Sequence, residues 1–325
     1  MELLKKLTGM YSPSGREDRI CEFISKELTP YADEIYRDNL GNLIVHKKGT
    51  GKKLLLAAHV DEIGLFVNFI DDNGFIRFSP IGGVMPQCSL YQSVVFENGV
   101  RGVVAYEEKT DAKKDLNLTR MYIDIGAKNA QEASKLVKIG DSAVFEGAFS
   151  TNGDYAFSKA MDNRAGVYVL MKVLEGIKET PNDLYFAFTV QEEIGCRGAR
   201  VCANSICPDM ALSVDVTDTG DTPECKRMAV KLGDGPCIKY MDDSIITHKE
   251  VNDALRQSAE RASVNVQHEV LSFGGTDAGA IHTSGMGVKT GAVSVPTRYI
   301  HTPVECVSLS DLDGAIKLIS DFATR

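Results

Sequence analysis

The segment Thr189-Val190-Gln191-Glu192-Glu193-Ile194-Gly195 decides how the rest of the sequence is interpreted. It ends an apolar run, residues 184–190, whose composition predicts a buried strand. Adjacent side chains on a strand point to opposite faces, so Glu192 and Glu193 can serve one site only if the chain leaves the sheet there. In an open parallel sheet, ligands bind outside the carboxyl ends of the strands. The sequence therefore predicts a functional site at the end of this strand.

The composition of the chain is that of an ordinary globular protein. Of its 325 residues, 43% are hydrophobic and 25% are charged, which allows a large core and two domains. The formal net charge is -9 and Lys and Arg are scattered, which argues against nucleic acid as a partner. No window approaches the ~20 apolar residues of a membrane span, and the N-terminal residues lack a signal-peptide pattern. Eight dispersed cysteines without a C-x-x-C pair predict reduced thiols, and we expect a cytoplasmic protein.

Other segments place a histidine or an aspartate at the end of a predicted strand. The buried run 53–58 leads into His59-Val60-Asp61-Glu62, and the run 210–214 leads into Asp215. Such strands alternate with helix patterns, which predicts an α/β fold with helices on both faces of the sheet. The helix signals are the capping-box spacing of Ser14-Gly15-Arg16-Glu17, the run 164–178, a cap at Thr247-His248-Lys249-Glu250, a start at Thr276 and a C-terminal helix near Ser310.

The segment from residue 64 to about residue 147 differs from the rest of the chain. It consists of short runs rich in Val, Ile, Phe and Tyr, which predict strands. The runs are separated by the turn signals Asp72-Asn73-Gly74, Gly82-Gly83 and Asn98-Gly99. One helix is predicted in this segment, opened by Asn129-Ala130-Gln131-Glu132. The segment is therefore predicted to form a small β-rich domain.

The α/β pattern resumes after Phe149, so this β-rich domain is predicted to be inserted into the larger one. We predict a catalytic domain made of residues 1–63 and 150–325, with the insertion at residues 64–149. A charged loop, residues 107–119, is interpreted as a solvated tip of the insertion rather than a binding patch.

Side chains from separate segments form a set of candidate metal ligands. The set consists of His59, Asp162, Glu193, Asp215 and His301. Imidazole and carboxylate donors without a thiolate suit zinc, cobalt or manganese in a hydrolytic site. Five ligands are too many for one open catalytic ion, but they fit two ions that share one aspartate at ~3.5 to 4 Å separation. Asp61 is placed to orient the His59 ring, and Glu192 is left as the general base.

Each of these residues has a structural interpretation when it is taken alone. A histidine at a strand end is more often a satisfied polar residue than a ligand, and Asp162 and Asp215 can equally cap a helix or lie in a turn. Cys202 and Cys207 are interpreted as core residues because their spacing fits no metal motif. The remaining histidines are interpreted as structural or surface residues: His46, His248, His268 and His282.

Five sequence motifs in a fixed order support the set of candidate ligands more strongly than any single residue does. They are Ala58-His59-Val60-Asp61-Glu62-Ile63-Gly64, Met161-Asp162-Asn163-Arg164-Ala165-Gly166, Gln191-Glu192-Glu193-Ile194-Gly195, Ser213-Val214-Asp215-Val216-Thr217 and Tyr299-Ile300-His301-Thr302-Pro303-Val304-Glu305. Together they resemble the motifs of the M42 family of metallo-aminopeptidases, and the resemblance covers essentially the whole chain. It implies that Asp162 bridges two divalent ions. It implies that His59 and Asp215 complete one ion and that Glu193 and His301 complete the other.

The resemblance also implies that Glu192 is the general base and that Asp61 supports the site. It implies a three-layer sandwich around a mixed, largely parallel sheet, with an inserted barrel-like domain that mediates dimerisation. Dimers in this family commonly build a hollow tetrahedral dodecamer. Enzymes that resemble this chain often have a cis peptide after the bridging aspartate, so we predict one between Asp162 and Asn163.

We therefore predict an aminopeptidase that removes the N-terminal residue from peptides with a free amino terminus. The loop Phe273-Gly274-Gly275-Thr276-Asp277 either orients the substrate backbone or simply caps a helix. A deacylase or carboxypeptidase would use the same ligands. A glycosidase needs only two carboxylates, but two strand-end histidines and the absence of Trp argue against it. A non-enzymatic assembly scaffold is disfavoured because every expected ligand and the base are present.

Overall fold

The computed structural model describes residues 1–109, 115–225 and 227–325. The centre of the predicted charged loop, residues 110–114, lies outside the described residues. The α-helices in the described part are α1 (Glu2–Gly9), α2 (Asp18–Leu28), α3 (Pro86–Ser89), α4 (Ala130–Leu136), α5 (Met161–Gly176), α6 (Arg197–Ile206), α7 (Lys249–Ala262), α8 (Asp277–Ile281) and α9 (Leu309–Ala323). Short 3-10 helices span Thr29–Tyr31 and Leu118–Arg120. None of the described helices is both long and apolar enough to span a bilayer.

The strands mostly alternate with these helices after residue 150, whereas the first part of the chain has two α-helices followed by three strands. The strands are β1 (Glu34–Arg37), β2 (Leu43–Lys47), β3 (Lys53–His59), β4 (Gly64–Ile70), β5 (Ile76–Ile81), β6 (Ser93–Phe96), β7 (Arg101–Tyr106), β8 (Met121–Asp124), β9 (Ser142–Phe145), β10 (Ser150–Asn152), β11 (Tyr155–Ser158), β12 (Asp183–Thr189), β13 (Met210–Thr217), β14 (Cys237–Met241), β15 (Gln267–Val270), β16 (Lys289–Arg298) and β17 (Glu305–Ser308).

An 11-stranded mixed sheet forms the centre of the larger unit. Its main path runs β1-β2-β12-β3-β13-β16-β17-β11-β10, and β14 joins it by pairing with β16 and β15. The central strands β12, β3, β13 and β16 are parallel. They are buried along nearly their whole length, which explains why their sequences are continuous apolar runs rather than alternating ones. The carboxyl ends of these strands consequently meet at one edge of the sheet.

Helices cover both faces of this sheet. The larger core packs α1, α2, α5, α7 and α9 against one face, with fully buried residues such as Leu7, Ile24 and Leu170. The opposite face is covered by α6 and α8, through small residues such as Ala199 and Ala280. The predicted three-layer α/β sandwich is confirmed.

A closed antiparallel barrel forms a second unit. Its strand order is β4-β5-β8-β7-β6-β9. It has its own core, in which Leu65, Val94, Val104 and Ile123 are buried. The helix α4 lies in the same segment, and its predicted cap is confirmed because the Asn129 side chain accepts the Glu132 backbone N–H at 2.9 Å. The predicted barrel-like fold of this segment is confirmed.

The N-terminal capping box was predicted wrongly. Helix α2 begins at Asp18, and no side chain caps it. The Ser14 hydroxyl instead donates to the buried carboxylate of Asp61 at 2.6 Å. A buried carboxylate needs donors more than an exposed helix end does, since water can satisfy the helix end.

Of three further local predictions, two are confirmed and one is wrong. The peptide between Asp162 and Asn163 is cis, as predicted. Cys207 was predicted to be a core residue, but it is exposed because α6 ends at Ile206 and Cys207 adopts a left-handed φ of 51°. Cys202 is buried in the core, as predicted.

Candidate metal centre

The predicted ligands lie at the carboxyl edge of the central sheet. His59 is the last residue of β3 and pairs with Thr189, the last residue of β12. Asp215 lies near the end of β13, and His301 follows β16. The candidate residues that line a common cleft of about 820 Å³ are His59, Asp162, Glu192, Glu193, Asp215 and His301. The strand-end argument therefore located the cleft.

The chain leaves the sheet immediately before the two adjacent glutamates, as the sequence required. Gln191 has a left-handed φ of 57°, which turns the chain away from the direction of β12. The Val190 amide is held by the Asn42 side chain at 3.0 Å. This turn allows Glu192 and Glu193 to face the same cleft.

His59, Asp162 and Asp215 form a first group of donors. The His59 Nε2 atom lies 3.1 Å from Asp162 Oδ1 and 3.6 Å from Asp215 Oδ1. One donor atom from each of the three residues lies within 4.8 Å of the other two. All three side chains are buried, so exchange with bulk water is restricted.

Asp162, Glu193 and His301 form a second group. The His301 Nε2 atom lies 3.3 Å from Asp162 Oδ2 and 3.3 Å from Glu193 Oε2. Glu193 Oε1 is buried and has no hydrogen-bond partner among the described residues. Asp162 thus directs one carboxylate oxygen to each group, and it is the only residue that the two groups share.

The ionisation of these residues reflects a surplus of buried carboxylates. Burial and neighbouring carboxylates raise the pKa of Glu192 well above its usual range, and burial raises the pKa of Glu193 to about 7. Burial lowers the pKa of His301, but Asp162 and Glu193 more than offset this and raise it to about 12. Imidazole nitrogens, crowded carboxylates and an unpartnered carboxylate oxygen together fit divalent cations, which would neutralise this negative charge.

Asp61 organises the backbone around these donors. Its carboxylate accepts the N–H groups of Glu192 at 2.9 Å and Glu193 at 3.2 Å. Its Oδ1 atom also lies 3.5 Å from His59 Nδ1. The His59 Nδ1 atom lies nearer the Asp61 backbone carbonyl, at 3.2 Å, so support of the ring by the carboxylate remains a prediction. The contact with the glutamate backbone is an addition to that prediction.

Glu305 also positions the backbone near the proposed ligands, a role that the sequence analysis did not assign to it. It is buried, and its carboxylate accepts the backbone N–H of Asp162 at 2.9 Å and that of His301 at 2.8 Å. Glu305 is the last residue of the motif that contains His301. Its place in that motif was the sequence feature that could have indicated a role in the site. Glu305 therefore fixes the two segments that bring Asp162 and His301 together.

The glycine pair Gly82-Gly83 was interpreted only as a turn, but it packs against the donors. A Cβ atom on Gly82 would lie 2.8 Å from Glu193 Oε2, and one on Gly83 would lie 2.5 Å from His301 Nδ1. The pair follows β5, so it belongs to a segment leading out of the barrel. The barrel thus contributes a close backbone contact to the centre.

The loop before α8 contains the helix cap that the sequence indicated. The Thr276 side chain accepts the Ala278 backbone N–H at 3.3 Å. The neighbouring Asp277 is buried, and its Oδ2 atom accepts the Thr189 hydroxyl at 2.5 Å. Residues 273–276 line the cleft. The cap is confirmed, and contact of this loop with a substrate remains a prediction.

The histidines that were assigned structural or surface positions are absent from the lining of the cleft. His46 contacts Asp183 at 2.7 Å. His248 caps α7 by accepting the Glu250 backbone N–H at 3.3 Å. His268 packs against Tyr240, with ring centroids 5.5 Å apart. His282 contacts a backbone carbonyl within its own turn.

Comparisons with known proteins agree with this architecture. A family model described as M42 glutamyl aminopeptidase matches residues 41–318. One relative is an Acetivibrio thermocellus protein whose name describes it as an aminopeptidase. The two sequences are 52% identical over 318 residues, which cover 98% of this chain and 96% of that protein. The solved structure of aminopeptidase APDkam598 from the archaeon Desulfurococcus kamchatkensis is 40% identical, with a TM-score of 0.96 over 99% of this chain and 94% of the other.

A second solved structure is that of the Pyrococcus horikoshii TET1 peptidase, which is described as able to assemble into a tetrahedron or a large octahedral shell. It is 36% identical, with a TM-score of 0.89 over 100% of this chain and 99% of the other. Because the family model spans most of the sequence and the relatives match along nearly their whole lengths, this chain belongs to the M42 aminopeptidase family and is a peptide hydrolase.

Proposed function

We propose that the chain is a binuclear metallo-aminopeptidase in which Glu192 is the general base. The observation that carries this proposal is the position of Asp162, which directs one oxygen to His59 and the other to His301. The proposed ligands are His59, Asp162 and Asp215 for one ion and Asp162, Glu193 and His301 for the other. Two divalent cations, for which zinc, cobalt and manganese are candidates, would supply the charge that polarises the scissile carbonyl and lowers the pKa of water.

Among the six candidate residues that line the cleft, Glu192 is the carboxylate that belongs to neither of the two donor groups. Its Oε2 atom lies 4.0 Å from His59 Nε2, at the edge of the first group. Its burial raises its pKa, which makes it a stronger base than an exposed glutamate. Glu192 therefore takes a proton from the attacking water and returns it to the leaving amine. Asp61 holds the backbone of Glu192 in place during both transfers.

A free α-amino group of the substrate would bind beside the ions and the carboxylates of the cleft, which accounts for the proposed restriction to peptides with a free amino terminus. An acetylated terminus offers neither a positive charge nor a basic nitrogen to this site. The cleft that contains the donors is walled by both polar and apolar residues, including Met85, Leu271 and Phe273. The N-terminal side chain of the substrate is placed against this wall.

A peptide panel tests the proposed reaction. The metal-supplemented enzyme is assayed with a free peptide, its N-acetylated form, its C-terminally amidated form and a cello-oligosaccharide. An aminopeptidase releases the N-terminal residue from the free and the amidated peptides alone. Cleavage of the acetylated form would indicate a deacylase or an endopeptidase, loss of the amidated substrate a carboxypeptidase, and sugar release a glycosidase.

We further propose that residues 64–149 form an inserted domain that carries a two-fold interface, between catalytic parts at 1–63 and 150–325. The separate core of the barrel supports the division. The solved structure of PhTET1-12s, described as a dodecamer, and the tetrahedral and octahedral shells described for the Pyrococcus horikoshii TET1 peptidase support self-association, for which we propose dimers that build a dodecamer. Light scattering that shows a monomer at micromolar concentration would contradict the proposed two-fold interface.

The dispersed cysteines of the sequence favour a cytoplasmic location.

A further inference from the structure

A third cluster of donor atoms adjoins the two groups described above. It consists of Glu192, Cys196 and Asp277, each of which offers one donor atom within 4.8 Å of the other two. The Cys196 thiol donates to Glu192 Oε1 at 3.1 Å. The opposite oxygen of the same carboxylate, Oε2, is the one that lies 4.0 Å from His59. Glu192 therefore has one oxygen toward the first group and one toward this cluster.

Asp277 gives an independent indication that this cluster binds a ligand. Its side chain is 1% exposed, so water does not satisfy it. Its Oδ2 atom accepts the Thr189 hydroxyl, whereas its Oδ1 atom is buried without a hydrogen-bond partner among the described residues. A buried carboxylate oxygen without a donor is destabilising, and a bound cation would remove that cost.

The cluster is accessible and is chemically different from its neighbours. Glu192 and Cys196 both line the cleft, so an ion can enter from the same opening as a substrate. Neither of the other two groups contains a sulfur atom. Because thiolate donors select soft ions, this cluster would prefer zinc or cadmium to magnesium or calcium.

We propose that Glu192, Cys196 and Asp277 form a third cation site, specific for a thiophilic divalent ion, whose occupation inhibits hydrolysis. The ion forms bonds to the Cys196 sulfur and to the two carboxylates, and the thiol proton leaves to solvent. An ion bound to Glu192 Oε1 withdraws electron density from the carboxylate, so Glu192 becomes a weaker proton acceptor. The binding stands on the donor geometry alone, and the inhibition rests on the proposed role of Glu192.

Cadmium binding to the metal-loaded enzyme tests the site without relying on activity. Cadmium thiolates absorb in the ultraviolet, whereas ions bound only by His, Asp and Glu do not give this band. The Cys196→Ala variant removes the proposed sulfur ligand. The Cys207→Ala variant is the matched control, since Cys207 is an exposed cysteine of the same segment. Equilibrium dialysis gives the number of ions bound per subunit.

The wild-type enzyme and the Cys207→Ala variant are expected to bind the added ion with a thiolate band, and the Cys196→Ala variant is expected to lack that band. Excess zinc should inhibit the first two enzymes, relative to their own uninhibited rates, at concentrations about 10- to 100-fold lower than it inhibits Cys196→Ala. A full band in Cys196→Ala, or no band in the wild type, would overturn the site. A band without inhibition would support the site and overturn its inhibitory role, whereas the assignment of Glu192 as base is tested separately by the kcat and metal content of Glu192→Gln.

Discussion

The carboxylate of Asp61, which is fully buried, accepts the backbone N–H of Glu192, a residue that lines the cleft, at 2.9 Å. The same buried carboxylate accepts the N–H of Glu193 and lies close to His59. One side chain thus sets the positions of the proposed base and of two proposed ligands. Catalysis requires that metal ligands and the general base are held in fixed positions. A substitution at Asp61 should therefore lower metal affinity or activity although Asp61 is not itself a proposed ligand.

The Asp61→Asn variant tests this positioning. The amide keeps one acceptor oxygen but presents an NH₂ group to partners that are themselves donors, so at least one contact becomes repulsive. We expect metal affinity or kcat to fall about 10- to 100-fold. Ser14→Ala, which removes one neutral donor from the same carboxylate, is the control and should have a smaller effect. Wild-type kinetics and metal content in Asp61→Asn would refute the positioning role.

Gly83 provides a test of the contact between the barrel segment and the centre. In Gly83→Ala, the added Cβ atom would lie 2.5 Å from His301 Nδ1, so the imidazole must move. We expect a reduced affinity for one of the two ions, measured by metal analysis after dialysis. Gly176→Ala is the control, because a Cβ atom there meets nothing within 4 Å. Equal metal content in the two variants would show that the contact is unimportant.

The sequence predicted the parts of the structure that depend on periodicity and on strand ends. The apolar run before Glu192 became β12, and His59 and Asp215 lie at the ends of neighbouring parallel strands, because parallel strands align their carboxyl ends. Contacts between distant segments were harder to predict. Ser14 was assigned to a helix cap because local spacing was the only information available, yet it donates to Asp61.

The same limit explains why other residues of the centre were missed. Glu305 lies four residues from His301, so spacing alone did not show that its carboxylate would also hold the Asp162 amide. In the sequence, Gly83 cannot be distinguished from any other glycine in a turn. Its role near the site becomes apparent only because the barrel segment packs against His301. Cys196 and Asp277 are separated by about eighty residues in the sequence, and their proximity is a consequence of the fold.

The ion pair between Arg298 and Asp221 predicts a pH-dependent contribution to stability. Arg298 donates to both Asp221 oxygens, at 3.0 and 2.7 Å. Burial raises the pKa of Asp221, but the bonds from Arg298 more than offset this and lower it from 3.8 to about 2. Because the folded-state pKa lies below the unfolded value, the contribution is present above about pH 4 and is lost as the pH falls toward about 2.

Urea unfolding of Asp221→Asn measures this contribution. At pH 7 the variant should lose on the order of 2 kcal/mol of unfolding free energy, and the difference from wild type should shrink as the pH falls below about 4. Asp253→Asn is the control, since its ion pair with Lys249 is on the surface and contributes little. A difference that stays constant down to pH 3 would show that the ionisation of Asp221 is not its source.

The last prediction separates Glu192 from Glu193, which are adjacent in the sequence and share one cleft. Glu192→Gln keeps the volume and leaves both donor groups intact, but it removes the proton acceptor. We therefore expect metal content to persist while kcat falls by ~10² to 10⁴, the usual loss for a general base. KM should change much less, because the substrate contacts remain. Glu193→Gln should lower both metal content and activity, because a neutral amide replaces a charged ligand.

Metal stoichiometry measured beside steady-state kinetics decides between the two assignments. Glu193 lies 3.3 Å from His301 Nε2, whereas Glu192 is hydrogen-bonded to Cys196 and lies only at the edge of the first group. If Glu192→Gln loses the ions and Glu193→Gln keeps them, the two roles are reversed. If neither change impairs hydrolysis, the reaction takes place elsewhere in the molecule. Since both variants replace a carboxylate by its isosteric amide, a difference between them reports the chemistry of the two positions rather than their packing.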